Sequence, residues 1–560
     1  MDIKRISPFL SVSPQIYPAH VEKIAALGFK TIINNRPDRE TDDQPLAKEL
    51  SAEAAKNGMV FINQPVIPGH VTKQDAENFA TELSRVEGPV LAFCRSGTRC
   101  TMLWALNEAR HMDADVITSF AASIGYDLKG HRATFRYIAS LAAGGAGTER
   151  RQQTADTYDV IIVGGGSAGI ATAASLLKRR PQMDIVVIEP RYKHFYQPGF
   201  TMVGGGIFDP SQPHALTEDV MPAGVRWIRT AAAAFEPGHN QVILEDGSRL
   251  GYRQLVVASG LKLNWGAVEG LRESLGRNGV TSNYRFDYAP YTWELVQKLR
   301  SGRAIFTQPL MPIKCPGAPQ KAMYLSCDHW LRNQSLDKID VQFCSASNVL
   351  FDVEHYVPPL MEYIKKYDAD VNLFCNLVAI DGEAQKAWFD VSQPGSEPCR
   401  EEMEFDMIHV CPPQTAPDFI RSSPLANEAG WVDVAADTLR HTRYENVFSL
   451  GDVCSAPSAK TLAAARRQAP VVAQNLLTVF DGKEPTVEYD GYGSCPLTVE
   501  KGKIVLAEYG YDGKLLPTFP EWLIKGDQAS KAAWFLKEKM LPTVYYQLML
   551  KGREWLVGRY

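Results

Sequence analysis

The sequence predicts an α/β protein with three parts: a small N-terminal α/β domain, two Rossmann-like dinucleotide-binding folds, and a C-terminal amphipathic helical tail. Strand-like and helix-like segments alternate through the first part, as is typical of a small α/β unit. A buried strand at 159–163 runs into three glycines and then a helix, which is typical of a dinucleotide-binding fold. We assign residues 1–143 to the N-terminal domain, 144–156 to a linker, 157–510 to the two folds and 511–560 to the tail.

Composition places the chain among ordinary globular proteins, with 45% hydrophobic and 22% charged residues. The net charge of −5 gives no reason to expect nucleic acid as a partner. The first residues do not form a signal segment, and no stretch approaches the roughly 18 uncharged apolar residues of a spanning helix. The ten cysteines form neither a disulfide framework nor a zinc-type pair. We therefore expect a cytoplasmic location, no metal, and catalytic rather than structural disulfide chemistry.

Cys94 is the sharpest feature of the N-terminal domain. It ends a predicted strand and is followed by a short loop and a helix. Backbone N–H groups and a helix N-terminus lower the pKa of a thiol in this position, and such a loop can cradle an anion. Cys100 is expected either to resolve a persulfide on Cys94 or to face the core of the helix.

The loop 94–99, CRSGTR, resembles the active-site loops of the rhodanese and cysteine-phosphatase families. Phosphatases of this type use C-x5-R, whereas the arginine here, Arg99, comes one residue earlier. The loop length is similar to that of rhodaneses, which is sized for a sulfane sulfur. The resemblance therefore favours a sulfurtransferase over the alternative, a cysteine phosphatase, with Cys94 and Arg99 as its catalytic residues.

The stretch after the strand at 159–163 carries a G-x-G-x-x-G fingerprint. Its first glycine allows a tight turn, the second lets the backbone approach a pyrophosphate at the helix N-terminus, and the third lets the helix pack on the strand. The next strand ends in an acid about 20 residues further on, where a carboxylate accepts hydrogen bonds from a ribose hydroxyl. We expect six residues to bind the dinucleotide: Gly164, Gly166, Ser167, Ala168, Gly169 and Glu189.

The second dinucleotide fold is expected to open at the strand 302–308, GRAIFTQ, but it lacks a second glycine fingerprint. The segment that follows is rich in proline, which cannot donate a backbone hydrogen bond to a pyrophosphate. We expect the fold to persist without an NAD(P)H site. These prolines are Pro309, Pro312, Pro316 and Pro319.

A later strand ends in Gly451-Asp452, and a helix is predicted to begin near Lys460 and Thr461. Its N-terminus is expected to face the bound cofactor, so Asp452, Lys460 and Thr461 are candidate cofactor-binding residues. Cys315 and Cys454 each follow a strand that is expected to end at the same ligand. Together they suggest a redox dithiol, in which Lys314 favours the thiolate of Cys315.

Residues 157–560 are similar to the sulfide:quinone oxidoreductase family. The similarity is carried by the segments KCPGAPQKAMYLS, YDGYGSCPL, HFYQPGFTMVG and GWVDV…HTRYENVFSLGDV. It implies FAD, a redox cysteine pair, a quinone, and a small sulfane-sulfur acceptor such as glutathione, sulfite or coenzyme A. Cys315 matches the family motif, and Cys454 lies one position later than the second cysteine of some members. Cys411 and Cys495 remain alternatives for that second cysteine.

The implied activity is oxidation of sulfide at the Cys315–Cys454 pair, with sulfane sulfur left on Cys454 and electrons passed through FAD to quinone. The N-terminal domain is then expected to handle the persulfide product. One alternative is a type II NADH:quinone dehydrogenase, which the prolines of the second fold disfavour, and another is a non-catalytic redox sensor.

The tail is basic and amphipathic. Helices of this kind lie on anionic membrane surfaces, but they also dock on protein cores. The lipid-soluble electron acceptor favours a peripheral membrane protein.

Overall fold

The computed structural model describes residues 2–7, 9–41, 44–67, 71, 73–109, 112, 114–128, 131, 134–135 and 157–554. The chain divides into two compact units, residues 1–153 and 154–560. The linker predicted at 144–156 lies outside the described residues. Both units have the predicted α/β architecture.

The first unit is a five-stranded sheet flanked by helices, with strand order β1-β2-β5-β3-β4. Only the pair β1–β2 is antiparallel. The central strand β5 is buried along its length because all four of its residues are apolar, and Cys94 follows its carboxyl end. The elements are β1 (Lys4–Arg5), β2 (Leu10–Ser13), α1 (Pro18–Ala26), β3 (Thr31–Asn34), α2 (Ala47–Lys56), β4 (Val60–Asn63), α3 (Lys73–Arg85), β5 (Val90–Phe93), α4 (Thr98–Glu108) and α5 (Ala114–Ser123).

The second unit contains the two predicted dinucleotide folds. Its strands are β6 (Thr157–Val163), β7 (Ile185–Ile188), β8 (Lys193–Phe195), β9 (His214–Leu216), β10 (Val225–Ile228), β11 (Ala232–Glu236), β12 (Gln241–Leu244), β13 (Arg249–Val257), β14 (Lys262–Leu263), β15 (Val280–Thr281), β16 (Gly302–Gln308), β17 (Ile339–Ser345), β18 (Asp370–Asn372), β19 (Cys375–Asp381), β20 (Lys386–Val391), β21 (Cys399–Glu404), β22 (Met407–His409), β23 (Gln414–Thr415), β24 (Val447–Ser449), β25 (Gly493–Glu500) and β26 (Lys503–Tyr509).

The α-helices of this unit are α6 (Ser167–Arg179), α7 (Gly199–Gly204), α8 (Thr217–Val220), α9 (Leu271–Ser274), α10 (Ala289–Lys298), α11 (Ala318–Arg332), α12 (Val357–Tyr367), α13 (Asp418–Arg421), α14 (Leu462–Phe480), α15 (Lys531–Phe535) and α16 (Leu541–Thr543). No helix in the described part of the chain has the length and apolar character that a membrane crossing requires.

The first dinucleotide fold is a seven-stranded sheet in which β10, β7, β6 and β13 lie side by side. These four strands and β24, which pairs with the carboxyl-terminal residues of β13, are parallel, whereas β12 and β11 continue the sheet as an antiparallel extension. Because β6, β13 and β24 are parallel, their carboxyl ends lie together, and ligands of such sheets bind at this edge. The small residues of α6 let this helix pack closely on the sheet.

The second dinucleotide fold persists, as predicted from the sequence. Its five strands are parallel and lie in the order β15-β22-β16-β17-β18. The antiparallel hairpin β25–β26 packs against α11 of this fold. This contact brings the late segment YDGYGSCPL to the beginning of α11, which follows the proline-rich loop.

The tail is docked on the second unit. After α15 it continues through the wide helical turns Leu536–Met540 and Val544–Leu548 and ends in the short turn Met549–Lys551. Its buried residues include Ala533, Trp534, Leu536, Lys537, Val544, Tyr545, Met549 and Leu550. The sequence left two arrangements for the tail, docking on the protein core or lying on a membrane surface. The buried residues dock on the core, while Phe535 and Met540 remain exposed.

Candidate active site

The glycine-rich turn has the geometry that a dinucleotide requires. Gly164 has a φ of +110°, and a Cβ there would lie 2.4 Å from the carbonyl oxygen of Ala258. A Cβ on Gly169 would lie 1.9 Å from the carbonyl oxygen of Gly164, so only glycine lets α6 approach β6 this closely. No atom lies within 4 Å of a Cβ built on Gly166, which faces open space. That space is where a phosphate can approach the backbone.

Glu189 lies at the end of β7 and is buried. One carboxylate oxygen accepts a hydrogen bond from the backbone N–H of Gly165 at 3.0 Å. The other oxygen accepts from the backbone N–H and from Nε of Arg191, both at 3.0 Å. These bonds hold the carboxylate against the turn, and the oxygen bonded to Gly165 keeps a second lone pair for a ligand hydroxyl.

A cavity of about 270 Å³ lies between the two dinucleotide folds of this unit. The tail supplies part of its wall, with Leu536, Lys537, Leu541, Val544, Tyr545 and Met549. Of the predicted site residues, those lining the cavity are Gly164, Gly166, Ser167, Ala168, Glu189, Cys315, Asp452, Lys460 and Thr461. Gly169 does not line the cavity and lies instead in the contact between α6 and β6.

The helix predicted near Lys460 and Thr461 begins at Leu462 as α14. The Thr461 hydroxyl accepts a hydrogen bond from Ala464 N at 3.2 Å and so caps its N-terminus. Lys460 Nζ donates to the carbonyl oxygens of Asp452 at 2.7 Å and Cys454 at 3.1 Å, which holds the preceding loop in place. Burial raises the pKa of Asp452, although Lys460 acts in the opposite direction.

Cys315 lies in the turn between β16 and α11 with a φ of +54°. This left-handed conformation is uncommon for a residue with a side chain, and functional sites often hold such residues. Two backbone hydrogen bonds hold it: Cys315 N donates to Lys460 O at 2.8 Å, and Ala318 N donates to Cys315 O at 2.8 Å. The cysteine is therefore fixed at the cavity wall.

The partner of Cys315 is Cys495 in β25, with the two sulfur atoms 3.6 Å apart. Gly317 permits this approach, because a Cβ there would lie 2.7 Å from Cys495 Sγ. The residues are 180 positions apart in the chain. Packing of the β25–β26 hairpin on α11 thus creates the cysteine pair.

This geometry corrects the predicted pairing of Cys315 with Cys454. The Cys454 thiol is buried and donates to the carbonyl oxygen of Gly451 at 3.2 Å. Its backbone is tied to Val432 on the far side of the loop. The Cys454 side chain belongs to the core of the first dinucleotide fold. The alternative Cys411 is also buried, and burial raises its pKa to about 12.

Lys321, on α11, is buried beside the pair. Its Nζ lies 2.8 Å from Cys315 Sγ and 3.6 Å from Cys495 Sγ. The hydrogen bond from the Cys495 thiol, followed by the Lys321 ammonium, holds the pKa of Cys315 well below its usual range. The same hydrogen bond raises the pKa of Cys495 well above its usual range. Cys315 is therefore the more acidic thiol of the pair.

A second lysine, Lys537 of the tail, is buried at the same site. Its Nζ donates to the carbonyl oxygen of Pro496 at 3.1 Å. Burial, followed by the repulsion from Lys321, lowers the pKa of Lys537 to about 7. Sequence reasoning missed both lysines. Lys321 could have been recognised because it lies in the segment KCPGAPQK, which carries the family resemblance. No feature of the sequence around Lys537 indicates a role at the cysteine pair.

Several buried polar atoms in the cavity wall have no hydrogen-bond partner among the residues that the structure describes. They are Ser259 Oγ and both side-chain atoms of Asn283. Buried polar groups of native proteins are almost always paired, so these atoms await a polar ligand. With the open cradle at Gly166, they fit a flavin dinucleotide.

In the first unit, Cys94 is buried at the end of β5. Gly97 N donates to its sulfur at 3.2 Å. The hydrogen bond from the Cys100 thiol, together with the backbone N–H groups of Cys100, Ser96 and Arg99, lowers the pKa of Cys94 to about 5. Cys94 is therefore a thiolate at neutral pH, as the loop predicted.

Arg99 is engaged on the inner side of the loop. Its guanidinium donates to Glu40 at 2.6 Å and 2.8 Å and to the carbonyl oxygen of Val66 at 2.9 Å. Arg36 binds the same carboxylate. Arg99 thus braces the loop in this structure, and Arg95 is the exposed arginine.

Two family models match the chain. The model "Beta-lactamase hydrolase-like protein, phosphatase-like domain" matches residues 2–111, and "Pyridine nucleotide-disulphide oxidoreductase" matches residues 158–305. Two dinucleotide folds, with a cysteine pair of which Cys315 lines their shared cavity, define a flavin-type disulfide oxidoreductase. The chain is thus an oxidoreductase that uses a flavin or nucleotide redox cofactor.

The relatives identify the family. The mitochondrial sulfide:quinone oxidoreductase of Dictyostelium discoideum is 40% identical over 420 residues, which cover 74% of this chain and 90% of that protein. The chain belongs to the sulfide:quinone oxidoreductase family. The crystal structure of the sulfide:quinone oxidoreductase from Aquifex aeolicus has the same fold, with a TM-score of 0.58, 18% identity and coverage of 70% of this chain and 92% of that one.

The first unit has its own relatives. A beta-lactamase hydrolase-like protein of Xylella fastidiosa is 35% identical over 130 residues, which cover 23% of this chain and 30% of that protein. Together with the family model, this relative shows that the unit is more similar to phosphatase-like domains than to rhodaneses. Its activity is a separate question, because the loop chemistry and not the fold decides it.

Proposed function

We propose that this chain oxidises sulfide to sulfane sulfur at the Cys315–Cys495 pair and passes the electrons through FAD to a quinone. The observation that carries the proposal is the 3.6 Å approach of the two sulfur atoms beside the dinucleotide cavity, in a chain of this family. Cys495 here takes the place that the sequence analysis gave to Cys454.

FAD is the dinucleotide that the site fits. The pyrophosphate would lie at Gly166 and Ser167, and the ribose would meet Glu189. Asn283, Lys314 and Asp452, which line the cavity together with Cys315, would hold the ring system. When bound, the flavin supplies the ability to accept two electrons from thiols and to return them to a quinone.

The cysteines perform the sulfur chemistry. In the oxidised disulfide, a hydrosulfide ion attacks Cys495 Sγ, so that a sulfur–sulfur bond forms there and Cys315 leaves as a thiolate. A leaving thiol of low pKa departs faster, and Lys321 stabilises the negative charge on Cys315. Transfer of the outer sulfur to a small nucleophile leaves the reduced pair, and loss of two electrons to the cofactor restores the disulfide.

The acceptor of the sulfane sulfur is proposed to be a small anionic or thiol nucleophile, such as sulfite, glutathione or coenzyme A. The buried lysines Lys321 and Lys537 provide positive charge at the cysteine pair, which favours an anion. At neutral pH Lys537 exists in both protonation states because its pKa is about 7. It can therefore take up a proton from the incoming sulfide.

The test of this function is anaerobic reduction of the bound flavin. We expect sulfide to bleach the visible absorbance and a quinone to restore it, whereas NADH leaves it unchanged. The reason is that the loop after β16 holds Cys315 and prolines where a nicotinamide site has its glycine-rich turn. Reduction by NADH at the rate of sulfide would support the NADH:quinone dehydrogenase alternative, and no reduction by either would support the redox sensor.

Replacing Lys321 by methionine is expected to slow reduction by sulfide about 10- to 100-fold, the effect of losing a charge-assisted hydrogen bond. Removal of the ammonium raises the pKa of Cys315, so the thiolate forms only at higher pH. Stopped-flow rates across pH are therefore expected to fall most at low pH and to recover as pH rises. Lys338→Met, at an exposed lysine, is the control, and an unshifted pH profile for Lys321→Met would contradict the role.

We further propose that the enzyme associates peripherally with a membrane. Large apolar side chains are exposed near the tail: Trp522 by 84%, Phe535 by 57%, Leu523 by 47% and Met540 by 37%. Exposed lysines accompany them at 525, 531 and 539. Such a surface binds anionic lipid. The Dictyostelium discoideum relative is mitochondrial by name, which does not test the cytoplasmic location, and this location stays a prediction.

The membrane proposal predicts that Trp522→Ser and Phe535→Ser each weaken binding to anionic vesicles about tenfold, because each removes a large apolar side chain from the lipid contact. Cosedimentation with vesicles measures this. Leu331→Ser is the control, since Leu331 is 41% exposed but lies on α11. Deleting the tail is a poorer test, because Lys537 and Tyr545 line the cavity. Vesicle binding unchanged in both serine variants would contradict the proposal.

For the first unit we propose a sulfurtransferase activity centred on Cys94. The supporting observations are the low pKa of the thiol and the ring of backbone donors around it, which can stabilise a thiolate or persulfide. Arg99 is proposed to keep this loop in shape through Glu40. The alternative is a cysteine phosphatase, which the matching family model of a phosphatase-like domain favours.

A further inference from the structure

The tail runs along α6, the helix that begins at the dinucleotide turn. At the N-terminus of α6, the Tyr545 hydroxyl is 2.7 Å from Ser167 Oγ. At the other end, Glu554 accepts hydrogen bonds from Ser175 Oγ at 2.7 Å and from Arg179 Nη2 at 3.1 Å. Between them the backbones touch, because a Cβ on Gly552 would lie 2.7 Å from the carbonyl oxygen of Ala174.

Tyr545 also reaches the glycine-rich turn through His194. The Tyr545 hydroxyl hydrogen-bonds to His194 Nε2, and His194 Nδ1 lies 3.2 Å from the carbonyl oxygen of Gly165. Burial lowers the pKa of His194 to about 4, so the ring is neutral and carries one N–H. That N–H points to the Gly165 carbonyl, which has no proton of its own, and Nε2 then accepts from Tyr545.

The donor and acceptor of each hydrogen bond are therefore fixed. Ser167 donates to Tyr545, Tyr545 donates to His194, and His194 donates to Gly165. The first and last residues of this hydrogen-bond series, Ser167 and Gly165, belong to the turn that is proposed to hold the pyrophosphate. The rings of Tyr545 and His194 are nearly parallel, at an interplanar angle of 19° and a centroid distance of 5.8 Å. Tyr545 is fully enclosed, with Tyr196 on another side.

We propose that the docked tail retains the flavin dinucleotide, with Tyr545 clamping the glycine-rich turn through Ser167 and His194. The inference rests on the proposed FAD site. Six residues of the tail between Leu536 and Met549 form a wall of that cavity, so a bound dinucleotide is covered on this side as long as the tail stays docked. Release of the cofactor then requires the hydrogen bonds along α6 to open first.

Tyr545→Phe is expected to speed the release of FAD about tenfold, since it removes the hydroxyl that joins Ser167 to His194. Release is followed as the rise in flavin fluorescence after dilution of the holoenzyme. Tyr252→Phe is the matched control, because Tyr252 lies in β13 and its buried hydroxyl has no partner within the described residues. The control is expected to release FAD at the wild-type rate.

Glu554→Gln tests the docking of the tail without touching the cavity. It weakens the ion pair with Arg179 at the far end of α6 and is also expected to release FAD faster than the wild type. Wild-type release by Tyr545→Phe, or by Glu554→Gln, would overturn the proposal, because it requires both the clamp and the docking. The measurement needs neither sulfide nor quinone, so its failure would leave the proposed oxidation standing.

Discussion

Cys495→Ser is expected to retain FAD and to lose reduction by sulfide by at least about a thousand-fold, the scale on which removal of a covalent nucleophile acts. The reason is that Cys495 is the only sulfur within reach of Cys315 among the residues that the structure describes. Anaerobic stopped-flow reduction with sulfide measures the effect. Cys315→Ser is expected to behave in the same way.

Cys454→Ser is the matched control, because it removes a buried thiol that bonds only to its own turn at Gly451. We expect its rate of reduction to stay within a few-fold of the wild type. The opposite result, a normal Cys495→Ser and an inactive Cys454→Ser, would restore the pairing that the sequence predicted. Flavin content of all variants, read from the absorbance ratio, separates lost chemistry from lost cofactor.

Cys94→Ala is expected to abolish sulfur transfer from thiosulfate or a persulfide by the full-length protein, and to leave sulfide-to-quinone turnover intact. The thiol is the only atom of the loop that can carry the sulfane sulfur. Because the pKa of Cys94 is about 5, its thiolate is present above that pH. Alkylation of Cys94 by iodoacetamide is therefore expected to decline only as pH falls through about 5.

Cys399→Ala, which removes an exposed cysteine of the second unit, is the control for this experiment. An aryl phosphate provides the competing readout. Release of phosphate that depends on Cys94, without any sulfur transfer, would establish the phosphatase alternative that the family model names. A tethered acceptor domain works at an effective concentration of about millimolar, so sulfur transfer is expected to be fastest within one chain.

The sequence alone determined those sites whose functional residues lie close together along the chain. The glycines at 164, 166 and 169 and the acid at 189 act within one strand–turn–helix unit. Their spacing was therefore sufficient to predict the dinucleotide turn that the structure contains. The same holds for Cys94, since the loop and helix that lower its pKa follow it directly in the chain.

Only the tertiary structure decided which residues meet across long separations. The partner of Cys315 was ambiguous because Cys454 and Cys495 both follow plausible segments. The choice depends on the packing of the β25–β26 hairpin against α11 and on the space that Gly317 leaves. Lys537 and Tyr545 could not be recognised from a basic amphipathic tail, because such a pattern does not specify which residues become buried. Docking of the tail places both residues in the cavity wall, Tyr545 against α6 and Lys537 against β25.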